Sequence, residues 1–234
     1  MQKTPEIKID WKRFTDQIKF NQPNIFYCVG NRSTGKSTLL ELLASKHPKI
    51  IDVFGGRDNE SLIWLNPKSP YKTNLVITGK NYKTITLQDI ENHDAILSSP
   101  KFFTLSQYKK FTKHIFTILS HRTHWKTPWA MIIRNIPQMP ANEFIYYMRE
   151  SRMCGVTKLI ETTQHHQPLE EIADYTLIKK LGINLGNFAF IQHFTDLQNL
   201  QNNQFTILSN SGAVGVGTFA LPKWRNQKPY KQVI

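Results

Sequence analysis

One stretch limits the fold of this chain more than any other. Gly30-Asn31-Arg32-Ser33-Thr34-Gly35-Lys36-Ser37 matches the phosphate-binding pattern G-x-x-x-x-G-K-[ST] at every fixed position. Its flanks fit the same geometry. Ile25-Phe26-Tyr27-Cys28-Val29 is a short apolar run rich in aromatic and β-branched residues, the pattern of a buried strand. After the loop, Thr38-Leu39-Leu40-Glu41-Leu42-Leu43-Ala44 carries leucines at helical spacing. A strand, a tight loop and a helix together aim backbone N–H groups and the positive end of the helix dipole at an anion. Gly30 and Gly35 permit the turn and, lacking side chains, let a phosphate come close. Lys36 then reaches the β- and γ-phosphates of a nucleotide, and the Ser37 hydroxyl ligates Mg²⁺. With Asn31, Arg32, Ser33 and Thr34 in the loop and Thr38 in the first helical turn, the expected nucleotide-binding set runs from Gly30 to Thr38.

The chain has 234 residues, enough for one α/β domain with a full core. Its apolar runs are too short to span a bilayer, so no membrane partner is expected. Met1-Gln2-Lys3-Thr4-Pro5-Glu6 lacks the apolar centre of a signal peptide, which makes a cytoplasmic location the expectation. Two cysteines, Cys28 and Cys154, exclude a disulfide framework.

The formal net charge of +13 favours a polyanionic partner, nucleic acid or an anionic surface, although a lysine-rich proteome would give the same composition. The cations are clustered. No acid occurs from Ala95 to Asn142, where Lys101, Lys109, Lys110, Lys113, Arg122, Lys126 and Arg134 fall, and the tail repeats this with Lys223, Arg225, Lys228 and Lys231. Such clustering suggests basic faces.

Along the chain, residues 1–23 read as a helical extension with Trp11, Phe14, Ile18 and Phe20 near helical spacing. Residues 24–221 form the main domain, and 222–234 a basic tail. Strands are expected at 50–54, 62–65, 129–133 and 156–164, with another closing the stretch 172–179. Two further apolar runs, 75–77 and 84–87, flank Gly79-Lys80-Asn81, and a hairpin joins 205–208 to 214–219. Leu105, Tyr108, Phe111, Ile115 and Leu119 mark an amphipathic helix whose other face carries Lys109, Lys110 and Lys113, and Pro140 opens a second helix. The fold class is therefore α/β, a mostly parallel sheet between helices with a C-terminal β-hairpin.

In an ATPase built on this loop, a buried strand such as 129–133 should end in an acid that holds the Mg²⁺ shell. Here it runs into Arg134-Asn135. Asn135 can accept a hydrogen bond from a metal-bound water but cannot take a proton. Glu161 lies at the polar C-terminal end of the 156–164 strand, where ligand chemistry sits in an open α/β sheet. Two readings stand: beside the loop strand, its carboxylate replaces the missing acid; elsewhere, it pairs with a lysine on the sheet edge. His165-His166 read as loop residues, and His121 and His124 as surface, because no further zinc ligands accompany them.

These pieces in their order resemble the HerA/FtsK superfamily of DNA-pumping ATPases, especially the small forms carried by archaeal viruses and integrated elements. The resemblance rests on the loop at 30–37, Asp52-Val53-Phe54-Gly55-Gly56-Arg57-Asp58 and Arg149-Glu150-Ser151-Arg152-Met153-Cys154-Gly155-Val156. It continues through Thr162-Thr163-Gln164, Ala173-Asp174-Tyr175-Thr176-Leu177-Ile178-Lys179 and Val214-Gly215-Val216-Gly217-Thr218-Phe219. It implies a RecA-like P-loop NTPase fold, assembled as a hexameric ring around double-stranded DNA with ATP and Mg²⁺ bound between subunits. Arg152 falls at the arginine-finger position with Arg149 as its substitute, and Gln164 at the polar-sensor position with Thr163 as the alternative. The implied activity is an ATP-driven DNA translocase for genome packaging or DNA transfer, with a viral portal or capsid as candidate partner and the host cytoplasm as the setting of a virus-encoded chain. The alternative is a nucleotide-gated DNA-binding or assembly protein that has lost turnover, which the Asn135 departure motivates.

Overall fold

The computed structural model describes residues 8–55, 60–123, 127–134, 136, 139–182, 188–189, 191, 196–209 and 214–220. Its strands are β1 (Lys8–Ile9), β2 (Ile25–Val29), β3 (Ile50–Phe54), β4 (Asn74–Ile77), β5 (Ala95–Ser98), β6 (Trp129–Ile133), β7 (Val156–Thr162), β8 (Tyr175–Ile178), β9 (Gln204–Ser209) and β10 (Val214–Thr218). They make one sheet in the order β1-β10-β9-β8-β2-β7-β6-β3-β5-β4. From β8 to β4 every pairing is parallel. Strands β9 and β10 form the expected C-terminal hairpin, antiparallel to each other, and β9 is antiparallel to β8. Strand β2, which carries the phosphate loop, lies near the middle, between β8 and β7.

The helices are α1 (Trp11–Asp16), α2 (Lys36–Ala44), α3 (Leu87–Glu91), α4 (Leu105–Ser120), α5 (Ala141–Met153) and α6 (Gln167–Ile172). They cover both faces, so the inner strands are apolar on both sides rather than alternating. The two-residue period of β2 shows how the core divides. Phe26 and Cys28 pack with Leu39, Leu40 and Leu43 of α2 and with Phe14 of α1. Ile25, Tyr27 and Val29 face the other way, toward Phe111 and Ile115 of α4, Phe144 and Met148 of α5, and Leu169 of α6. Helix α4 starts at a capping box in which the Thr104 hydroxyl accepts from the Gln107 amide and the Gln107 side chain accepts from the Thr104 amide.

Some local expectations change. Residues 62–65 are not a strand but lie in a 3₁₀ turn, Glu60–Leu65. Ser61 and Trp64 are both fully buried, and a spacing of three suits that helix rather than a strand. The apolar run at 84–87 opens a helix, with Thr86 capping α3. Strand β5 was not expected; it is four residues of Ala-Ile-Leu-Ser, short and poor in β-branched side chains. Within the N-terminal extension, Lys8–Ile9 adds an edge strand alongside β10, ahead of helix α1.

Candidate functional site

The loop after β2 is stitched to strands on both sides. The Gly30 amide donates to the Thr162 carbonyl at 3.3 Å and the Asn31 amide to the Lys180 carbonyl at 2.9 Å. Both glycines are required by crowding, and Gly35 by its backbone angle as well. A Cβ on Gly30 would sit 2.6 Å from the Lys179 Cβ; one on Gly35, whose φ is +87°, would sit 2.5 Å from the Asn202 carbonyl oxygen. Helix α2 begins at Gly35 with no side chain capping it, which leaves its first amides available to an anion. Lys36 is buried, and its ammonium donates to the carbonyls of Gly30 at 2.8 Å and Asn31 at 2.7 Å. Above the loop lies a cleft of about 930 Å³ whose walls include Arg32 through Thr38, Glu161 through His166, Arg134, Asn202, Asn203 and Phe219.

Glu161 belongs to β7 and stands in register with Cys28 of β2, so the strand-adjacency condition set by the sequence is met. The Ser37 hydroxyl donates to its two carboxylate oxygens at 3.0 and 2.9 Å. Strand β6 is one place further out, beyond β7. Asn135 itself lies outside the described residues, but Arg134 beside it is well placed to read. Its guanidinium is buried and pairs with Glu41 of α2 at 3.0 Å and Asp52 of β3 at 2.7 Å, while the Trp64 indole donates to Asp52 at 2.8 Å. Burial works against the Arg134 charge, but Asp52 and Glu41, and then Glu161, outweigh it and push its pKa above the ordinary arginine value.

This cluster corrects one sequence expectation. Arg134 and Arg122 are interior residues, not part of a basic face. Arg122 donates to the carbonyls of Cys154, Gly155 and Thr127 and lies 3.9 Å from the Trp129 ring centre. Lys101, Lys109, Lys110 and Lys113 are exposed as expected; Lys126, His124 and the basic tail from 222 lie outside the described residues.

Thr163 and Gln164 both line the cleft, as do His165 and His166, which the sequence assigned to a loop without a role. Tyr27 holds this turn in place: its hydroxyl is 3.0 Å from the Thr162 hydroxyl and accepts from the His166 amide at 2.8 Å. Burial pushes the Tyr27 pKa up to about 12, so the phenol stays protonated. Arg152 is elsewhere. It pairs at 2.6 Å with Asp174, whose other carboxylate oxygen accepts from the Ile25 amide at the start of β2. Five strand residues separate that point from the loop, roughly 17 Å, so within one chain Arg152 and the cleft stay apart. Arg149 is exposed on the same helix.

Lys179 lies just past the end of β8. It is fully buried directly under the loop, and no sequence signal marked it. No group of three or more His, Cys, Asp or Glu side chains among the described residues could hold a metal ion. The oxygen donors of Ser37 and Glu161 nevertheless suit Mg²⁺, which usually takes one or two carboxylates, waters and substrate phosphates rather than a protein cage. Among the described residues no helix is long and apolar enough to cross a membrane.

No protein-family model and no curated protein matches this sequence. Solved structures do share its fold. The genome-packaging NTPase B204 from Sulfolobus turreted icosahedral virus 2, in complex with ATP-gammaS, is 14% identical with a TM-score of 0.52, over 86% of this chain and 98% of that one. B204, the DNA-packaging ATPase from Sulfolobus turreted icosahedral virus, is 16% identical with a TM-score of 0.52, over 84% and 97%. EssC (ATPases 2 and 3) from Geobacillus thermodenitrificans is 13% identical with a TM-score of 0.51, over 84% of this chain and 39% of that one. The chain thus shares the mostly parallel α/β fold of these solved ATPase and NTPase structures.

Proposed function

We propose that this chain is an ATP-driven DNA translocase, a genome-packaging or DNA-transfer motor that hydrolyses ATP at the interfaces of a homo-oligomeric ring. The observation that carries the proposal is the approach of the Glu161 carboxylate to the Ser37 hydroxyl at the end of the phosphate loop. In nucleotide-binding chains of this kind, a loop serine or threonine and a strand-end acid hold Mg²⁺ between them. Here Ser37 and Glu161 would hold it, and the ion would offset the charge of the phosphates. Lys36 would exchange the Gly30 and Asn31 carbonyls for phosphate oxygens. Thr163 or Gln164, which follow β7 into the cleft lining, would orient the attacking water. Arg152, remote from its own cleft, would reach a neighbouring subunit's nucleotide by giving up Asp174. The double-stranded DNA would be held through phosphates by exposed lysines such as Lys109, Lys110 and Lys113, with an affinity that falls steeply as salt rises.

The solved structures with this fold support the reading, because one is a genome-packaging NTPase in complex with ATP-gammaS and another a DNA-packaging ATPase. The test is phosphate release with and without duplex DNA. DNA should accelerate it in the wild type and Lys36→Ala should abolish it; release unaffected by either would refute the motor.

A second reading is a nucleotide-gated DNA-binding or assembly protein without turnover. It is motivated by Asn135, which stands just past the end of β6 where a hydrolysing enzyme of this type would carry an acid, and by Arg134 beside it, whose charge is held by Glu41 and Asp52. ATP-dependent DNA retention without phosphate release would establish it.

A further inference from the structure

The cleft has two flanks, and the sheet order tells them apart. Ser37 faces Glu161 on β7, so the metal and the terminal phosphate belong on that side of the loop. The remainder of a bound nucleotide must then run the other way, over β8 and toward the β9–β10 hairpin. The wall there is made by Asn202 and Asn203, which are exposed, and by Phe219.

That wall is held by one side chain. Lys179 follows β8, its amide donates to the Val29 carbonyl at 2.8 Å, and its Cβ fills the space that only a glycine at position 30 leaves open. Its ammonium passes beneath the loop, 3.7 Å from where a Gly35 Cβ would stand. It donates to the Asn202 carbonyl at 2.8 Å and to the Gln204 carbonyl, and lies 4.8 Å from the Phe219 ring centre. The Phe219 amide in turn donates to the Asn203 carbonyl at 3.0 Å. A buried cation held by backbone carbonyls and an aromatic face fixes the path of a turn rather than a partner's charge.

We infer that Lys179 is a positioning residue for the nucleoside end of the cleft: its ammonium draws the Asn202–Gln204 turn onto the phosphate loop and so sets the wall against which ribose and base rest. The inference rests on the nucleotide-binding reading above and adds to it the place of the nucleoside.

Two probes separate the two ends of the ligand: ATP, which carries a nucleoside, and inorganic tripolyphosphate, which does not. In Lys179→Met, ATP affinity should fall at least tenfold and tripolyphosphate affinity less than threefold, and Lys179→Arg should restore most of the ATP affinity. Equal losses for both ligands, or no loss, would overturn the inference. Should Lys179→Met fail to fold, hydrogen exchange on the wild type decides the matter. ATP should protect the amides of residues 202–204 and tripolyphosphate should not; protection by both alike, or by neither, would overturn it. A wild-type chain that binds neither ligand would instead remove the nucleotide site itself.

Discussion

The Ser37 hydroxyl lies 3.0 and 2.9 Å from the two carboxylate oxygens of Glu161, a contact between the first turn of α2 and the end of β7. The residues are 124 apart in the chain and meet because β7 runs parallel to β2 in the register that sets Glu161 beside Cys28. A hydroxyl and a carboxylate so placed would offer a divalent cation two oxygen ligands once phosphate arrives. The expected consequence concerns metal-assisted binding. Mg²⁺ should raise ATP affinity at least tenfold in the wild type, and Ser37→Ala should lose that gain while Mg²⁺-free ATP binding changes less than threefold. Titration calorimetry with and without Mg²⁺ measures both.

Arg134 makes a stability prediction. Its guanidinium is the buried partner of both Asp52 and Glu41. Arg134→Met would leave two carboxylates in the interior without their cation, which should cost about 3–5 kcal/mol in urea unfolding. Arg134→Lys should recover only part of this, because a single ammonium cannot reproduce the forked contact to two acids. An Arg134→Met chain as stable as the wild type would show that the cluster is not a structural unit.

Lys158 makes a pH prediction. It is fully buried in β7 and its ammonium donates to the Val156 carbonyl at 3.0 Å. Burial lowers its pKa well below the ordinary lysine value, against a smaller upward pull from Cys154 and with Arg122 adding to the downward push. The folded pKa is depressed, so the unfolded chain holds a proton that the folded chain lacks across the window between the two values. Stability from this site is complete above the unfolded lysine value of about 10.4 and is lost as pH falls toward the depressed one. Lys158→Met should therefore raise stability at pH 7 by about 1–3 kcal/mol and flatten the rise in stability on the alkaline side. Thermal unfolding from pH 6 to 10 measures both; an unchanged slope would contradict the assignment.

Arg152 separates a local role from one between subunits. Its contact with Asp174 is partly exposed, so Arg152→Ala should change stability by no more than about 1 kcal/mol. If it acts on a neighbour's nucleotide, the same variant should lose phosphate release at least hundredfold, consistent with the usual worth of an arginine finger. Mixing it with Lys36→Ala should then restore part of the activity, because some interfaces regain an intact pair. Full activity in Arg152→Ala would leave it as an ion-pair residue only.

What could be read from the sequence follows the distance over which each feature is encoded. The phosphate loop is eight consecutive residues between two strongly patterned elements, and its strand, turn and helix form as the pattern requires. Glu161 could be singled out as a lone carboxylate at the polar end of an apolar strand, but its relation to Ser37 depends on strand order, which no local pattern specifies. Arg134 was misplaced among the surface cations for the same reason: its partners stand 93 and 82 residues away, and an arginine beside an apolar strand has no local mark of burial. Asp52 and Glu41 each interrupt an apolar run, and that interruption is the signal that would have revealed the cluster. Lys179 leaves no comparable trace, because its ammonium donates to the backbone carbonyls of Asn202 and Gln204, and every residue possesses a carbonyl.

The most direct test of the site is single-turnover phosphate release by Glu161→Gln alongside the wild type, both saturated with Mg²⁺ and ATP in the presence of duplex DNA. If Glu161 supplies the acid that the end of β6 lacks, the variant should bind ATP within about tenfold of the wild type and release phosphate at least a hundredfold more slowly, a loss of about 2.7 kcal/mol or more in transition-state stabilisation. A Glu161→Gln chain that releases phosphate at the wild-type rate would contradict that assignment.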